Sequence, residues 1–213
     1  MAKIFGTFKS GVRAAFDPMG RGLVRMGVSP DAVTLLGTAG VVAASVGWAA
    51  HGHLVVATIV ITLCCLLDVL DGAMARARGT STRFGALLDS TMDRVADGAL
   101  FGALVWWQAT TGQQGIAVVT LVCLVGGQVV SYVKARAEGL GFTADVGIAE
   151  RMERLILIGI GGLSTAFGTR WILDGVIWLL AVLTVVTVAQ RLLHVRAQEI
   201  RQRSQRPTAG ATL

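Results

Sequence analysis

The chain is dominated by long apolar stretches, at about 32–50, 54–75, 86–107, 115–133, 155–168 and 172–190. Most reach the roughly 20 residues a helix needs to cross the hydrocarbon core of a bilayer. Only 15% of the residues are charged and 54% are hydrophobic, a balance that a soluble domain of this size rarely shows. The expected fold is therefore an all-α integral membrane domain of six transmembrane helices. The fifth stretch is short and rich in glycine (Gly159, Gly161, Gly162). Small residues of this kind let helices approach closely inside a bundle.

An amphipathic helix is expected ahead of the six spans. Over residues 2–16, Ile4, Phe5, Phe8, Val12 and Phe16 recur at helical spacing, with Lys3, Lys9 and Arg13 on the other side. Such a segment lies in the membrane interface; the alternative is a disordered basic tail. Ser29-Pro30-Asp31 reads as a helix start, with proline in the first turn. No secretory signal is expected, because the first 30 residues lack an apolar core followed by a cleavage site. One membrane domain over 1–197 is expected. A polar tail over 198–213, with Pro207 and Gly210, is expected to be disordered. Cys64, Cys65 and Cys123 all fall in apolar stretches and are odd in number, which suits small core residues better than a disulfide or metal site.

The net charge of +6 is placed in a way that argues against nucleic acid as the partner. Eighteen of the 19 Lys and Arg residues flank one set of span ends, and only Arg170 lies on the other. Basic flanks mark the cytoplasmic side and suit its anionic leaflet. Both termini are thus expected in the cytoplasm, in a multi-pass protein of the plasma membrane.

Against this scarcity of charge, Asp68, Asp71, Asp89 and Asp93 stand close together. Asp68 and Asp71 are three apart and share a helix face near the cytoplasmic end of the second span. Asp89 and Asp93 are four apart at the start of the third. A short turn between the spans would let all four converge at the membrane boundary. Uncompensated, the carboxylates would repel and stay partly protonated. Hard divalent cations resolve this, because they take carboxylate and phosphate oxygens together. Two such ions would clamp a phosphoryl group for in-line displacement. Gly72 and Gly85 leave room for a ligand or the facing helix near the turn. The bland alternative is a salt-bridge network with Arg76, Arg78, Arg83 and Arg94. Asp97 continues the face deeper in the span and reads as a structural or supporting acid.

The pattern Asp68-x2-Asp71-Gly72-x2-Ala75-Arg76-x8-Gly85-x3-Asp89-x3-Asp93 resembles the full signature of the CDP-alcohol phosphotransferase family. That resemblance implies a two-Mg²⁺ site, with Mn²⁺ as a substitute, held by Asp68, Asp71 and Asp89. Asp93 would bind the second metal and act as the base for the acceptor hydroxyl. Gly72, Ala75, Arg76 and Gly85 would line the CDP pocket. Upstream, Pro30-Asp31-Ala-Val-Thr34 is similar to the family's nucleotide-contacting segment, where the family often has Asn in place of Asp31. Thr82, in the turn, is placed to donate to a phosphate oxygen or simply to be a solvated loop hydroxyl.

The acceptor is read from the other cytoplasmic ends. Ser131 and Lys134 close the fourth span, Arg154 opens the fifth, and Arg191 ends the sixth. Cations beside a phosphoryl-transfer site suit an acceptor that carries its own phosphate, although cytoplasmic ends are basic in any case. The stretches 71–79 and 82–89, and above all 131–138, resemble those of actinobacterial family members that make phosphatidylinositol phosphate. This implies CDP-diacylglycerol as donor, inositol phosphate as acceptor, CMP as the second product, and a homodimer. Glycerol 3-phosphate is the rival acceptor. An ion or proton transporter is the rival class, but it would place acids at mid-membrane on several helices.

Overall fold

A computed structural model describes residues 17–78 and 82–205; at Asp68, Val69, Ala75, Arg76, Arg78 and Gln205 it describes the backbone alone. The expected interfacial helix over 2–16 lies outside the described residues. The rest is helical: α1 (described over 17–25), α2 (Pro30–Gly47), α3 (Leu54–Arg78), α4 (Arg83–Thr110), α5 (Gln114–Gly139), α6 (Arg151–Ser164) and α7 (Arg170–Gln205). Among the described residues, four helical stretches are long and apolar enough to cross a membrane: Pro30–His51, Leu54–Met74, Gln114–Gly139 and Arg170–Ser204.

The third and fifth expected spans form helices of a different character. α4 has 28 residues, about 42 Å at 1.5 Å per residue, but Asp89, Asp93, Arg94 and Asp97 interrupt its first half. α6 has only 14 residues before a 3-10 turn at Thr165–Phe167 takes over. That is about 21 Å of helix, short of a bilayer core. The polar tail expected from Gln198 is helical as far as Gln205, because α7 runs on unbroken. Two contacts hold this stretch. Arg203 pairs with Glu199 one turn back at 2.5 Å, and the Gln198 amide bonds the Thr143 backbone. Residues 206–213 lie outside the described residues.

The chain divides into two compact units, Met1–Thr110 and Thr111–Leu213. In the first, α2 packs against both α3 and α4. The expected start of α2 is observed: Ser29 is its N-cap, with its hydroxyl accepting from Ala32 N at 3.2 Å, and Pro30 follows. α1 meets α3 at Gly20, where an added Cβ would lie 2.9 Å from Ala73 Cβ and 3.0 Å from the Met74 nitrogen. Overpacking of this kind costs roughly 1–3 kcal/mol. Gly20→Val should therefore lower the melting temperature of the purified protein; an unchanged value would show that α1 does not bear on α3.

In the second unit, α7 packs against α5 and α6. α5 and α7 run parallel. Gln113, the N-cap residue of α5, accepts from Arg170 at the start of α7, while further along Cys123 Sγ donates to Ile177 O and Arg191 bonds Val130 O. α6 runs back between these levels, with Gly161 against Leu173. Among the described residues the three cysteines form no disulfide; Cys123 is buried, as a core residue should be, while Cys64 and Cys65 are half-buried.

Candidate active site

The first unit assembles the acidic site around the N-terminal end of α2. Thr34, one turn into that helix, donates its hydroxyl to Asp71 Oδ2. The two residues are 37 positions apart, and both are buried, Asp71 at 8% exposure. The bond fixes one carboxylate oxygen of Asp71. Asp31 comes to α4 instead: a Cβ on Gly85 would sit 3.4 Å from Asp31 Oδ1 and 3.0 Å from Thr82 Oγ1. Gly85 is therefore glycine because a polar corner closes over it.

Thr82 has a defined local role. Its hydroxyl oxygen accepts from Gly85 N at 2.9 Å, three residues on, the geometry of a helix N-cap. The cap was not anticipated from the sequence, although its signal, a threonine just ahead of an amphipathic run, is there. A hydroxyl that accepts in this way still has its own proton to donate.

Along α4, Asp89 is exposed and Asp93 half-buried. Arg94 lies between two acids, with Nη2 3.6 Å from Asp93 Oδ2 and Nη1 3.7 Å from Asp97 Oδ2. Asp97 is buried, which agrees with its reading as a supporting acid: it anchors the guanidinium that faces Asp93.

Asp68, Ala75 and Arg76 lie on α3, and their side chains are outside those described. Gly72 lies on the same helix, one residue beyond Asp71. Among the described residues, no three His, Cys, Asp or Glu side chains are gathered closely enough to hold a metal. The acids of the signature all offer carboxylate oxygen, a donor set that fits Mg²⁺ or Mn²⁺ and suits thiolate-seeking metals poorly.

The second unit holds the residues singled out for the acceptor. Arg154 is 1% exposed and Arg191 3%. Arg154 reaches across α5 at Gly127, where a Cβ would come within 3.3 Å of its guanidinium carbon, and its Nη1 donates to Ala149 O at 3.3 Å. Arg191 donates from Nε to Val146 O at 2.8 Å and from Nη1 to Val130 O at 2.7 Å, and its Nη2 lies 3.5 Å from Glu150. Lys134 pairs with Asp145 at 2.5 Å and more loosely with Glu138 at 3.9 Å. That ammonium holds the exposed Asp145 carboxyl below its ordinary range. Ser131 donates to Gly127 O at 3.2 Å. The sequence argument placed these cations at helix ends. It did not anticipate that two of them are buried and engaged with backbone carbonyls.

Residues 27–189 match the CDP-alcohol phosphatidyltransferase family. The phosphatidylinositol phosphate synthase of Mycobacteroides abscessus is 50% identical over 182 residues, which cover 84% of this chain and 83% of that protein. The enzyme of the same name from Corynebacterium glutamicum is 39% identical over 199 residues, covering 92% and 90%. The crystal structure of Mycobacterium tuberculosis phosphatidylinositol phosphate synthase with CDP-DAG bound matches at a TM-score of 0.80 and 45% identity, over 84% of this chain and 92% of that one. The same enzyme in complex with manganese and citrate matches at 0.81 and 45%, over 85% and 88%. The aspartate signature lies wholly inside the matched residues and the relatives match along nearly their full length, so this chain belongs to the CDP-alcohol phosphatidyltransferase family and is a transferase of phospholipid synthesis.

Proposed function

We propose that this chain is a phosphatidylinositol-phosphate synthase. It transfers the phosphatidyl group of CDP-diacylglycerol to a hydroxyl of inositol phosphate and releases CMP. The observation that carries the acceptor is the pair of buried guanidiniums, Arg154 and Arg191. A guanidinium presents a planar fork of donors that matches phosphate oxygens, which an acceptor that carries a phosphate offers and a neutral alcohol does not.

Asp68, Asp71, Asp89 and Asp93 would hold the divalent metals, which when bound neutralise charge developing on the pyrophosphate. Thr34 keeps Asp71 turned toward α2. Asp93, with Arg94 beside it, takes the proton of the acceptor hydroxyl as that oxygen attacks the lipid-side phosphorus. Asp31, Thr34, Gly72, Ala75, Arg76, Thr82 and Gly85 serve the CDP-lipid, with Thr82 donating to a phosphate oxygen. Ser131, Lys134, Arg154 and Arg191 take the acceptor's phosphate, which competes with Asp145 for Lys134.

Release of CMP by the purified protein, given CDP-diacylglycerol and a panel of alcohols, tests the proposal. Inositol phosphate should be used far better than glycerol 3-phosphate or free inositol. A preference for glycerol 3-phosphate would make the chain a phosphatidylglycerophosphate synthase.

The same reading takes the domain as residues 1–197, with the interfacial helix over 2–16 and six spans in the plasma membrane. Both termini and the active site face the cytoplasm, and the chain forms a homodimer. The 18-to-1 charge division supports the orientation. In a cysteine-free background, His53→Cys should label from outside and Ser204→Cys only after the membrane is opened. Both residues are exposed. Labelling of both from the same side would overturn the topology.

A further inference from the structure

The connection between α5 and α6, residues 140–150, has no regular structure, yet one face of α7 holds it at several points. Thr187 is fully buried. Its hydroxyl oxygen accepts from Ile148 N at 3.3 Å and from Ala149 N at 3.1 Å, and its proton goes to Leu183 O at 2.8 Å. A hydroxyl has one proton and two lone pairs, so its capacity is filled. One turn on, Arg191 binds Val146 O, and two turns further Gln198 binds both backbone groups of Thr143.

Gly147 shows how closely the connection is moulded onto Thr187. Its φ is +137°, and a Cβ there would meet Thr187 Cγ2 at 2.5 Å. Only glycine takes that conformation readily.

The backbone of Ala149 then links two side chains. Its N–H is held by Thr187, and its carbonyl receives the Arg154 guanidinium. Ala149 is itself fully buried, and Glu150 beside it is the N-cap residue of α6. Thr187 and the Arg154 guanidinium thus bind the two adjoining peptide groups of Ala149, immediately ahead of α6.

We infer that Thr187 is a positioning residue for acceptor use: through the backbone of Ala149 it sets the place of the Arg154 guanidinium. The inference rests on the reading that Arg154 takes the acceptor's phosphate.

The test compares wild-type, Thr187→Val, Thr187→Ser, Arg154→Gln and the Thr187→Val/Arg154→Gln double variant as purified full-length proteins. Valine keeps the shape of threonine and removes the hydroxyl. Loss of one hydrogen bond's worth of orientation corresponds to a change of about 10-fold. Thr187→Val should raise the apparent KM for inositol phosphate by about that factor, leaving kcat and the KM for CDP-diacylglycerol unchanged. Thr187→Ser should restore wild-type behaviour. The double variant should match Arg154→Gln alone, because the two residues act as one.

Four results separate the possibilities. An Arg154→Gln enzyme with an unchanged acceptor KM removes the underlying reading. An acceptor KM raised by Arg154→Gln but untouched by Thr187→Val overturns the inference while leaving that reading intact. Thr187→Val lowering kcat and weakening both substrates together assigns Thr187 to general stability and also overturns it. If Thr187→Val does not fold, Gly147→Ala disturbs the same contact from the other side. It should raise the acceptor KM selectively, and an unchanged KM there counts against the inference.

Discussion

Asp93→Asn ends CMP release while binding of the CDP-lipid is largely kept. Asparagine is nearly isosteric with aspartate and can still offer one oxygen, but it cannot take a proton. Loss of a positioned general base costs about 10²- to 10⁴-fold, and loss of an anionic ligand adds to this. The surrounding structure should hold, because Arg94 keeps its second partner, Asp97. Turnover and binding of a labelled CDP-diacylglycerol, measured side by side, separate the base from a ligand that merely holds substrate. Asp71→Asn should behave differently. Its carboxylate is tied to Thr34 and is proposed as a ligand alone, so Mn²⁺ titration should show weakened metal binding along with lost turnover. Near-normal turnover in Asp93→Asn would refute the assignment of the base.

Arg154→Gln should raise the apparent KM for inositol phosphate by about 10- to 150-fold, the range for losing one charge-assisted hydrogen bond of roughly 1.5–3 kcal/mol. The KM for CDP-diacylglycerol should barely move. Arg154 is the most buried of the three cations assigned to the acceptor, and its guanidinium lies against the glycine surface of α5 at Gly127. Glutamine removes the charge and shortens the side chain by two bonds, so it is the comparison of the two KM values that separates an acceptor contact from packing. Lys134→Gln should have a smaller effect, because its ammonium is half-exposed and already paired with Asp145. Equal losses for both substrates would mean that Arg154 supports the helix bundle alone.

The start of α2 shows what local chemistry can announce. Ser29 and Pro30 are a cap and a first-turn proline, and both act through backbone groups within a few residues. The acid spacing of α3 and α4 was legible for the same reason: residues three and four apart share a helix face whatever surrounds them. The third and fifth expected spans fall outside the four long apolar stretches among the described residues, α4 because charge interrupts it and α6 because it is short. α6 stops at Ser164, and only the 3-10 turn continues it. The extension of α7 to Gln205 was missed because a polar composition looks the same in a tail and in a solvated helix. The bond from Gln198 to Thr143, which holds it, joins residues 55 positions apart.

The amino-acid order by itself determined the membrane class, the helical fold and the Asp68–Asp93 signature, since each is written in composition or in spacing along one helix. Tertiary structure alone decided that Thr34 holds Asp71, that Gly85 lies under Asp31 and Thr82, and that Arg154 is buried against Gly127 with Thr187 behind its backbone anchor. Periodicity tells which residues share a face, but not which face of another helix meets it. That pairing depends on how side-chain volumes and buried polar groups fit across the whole packed unit.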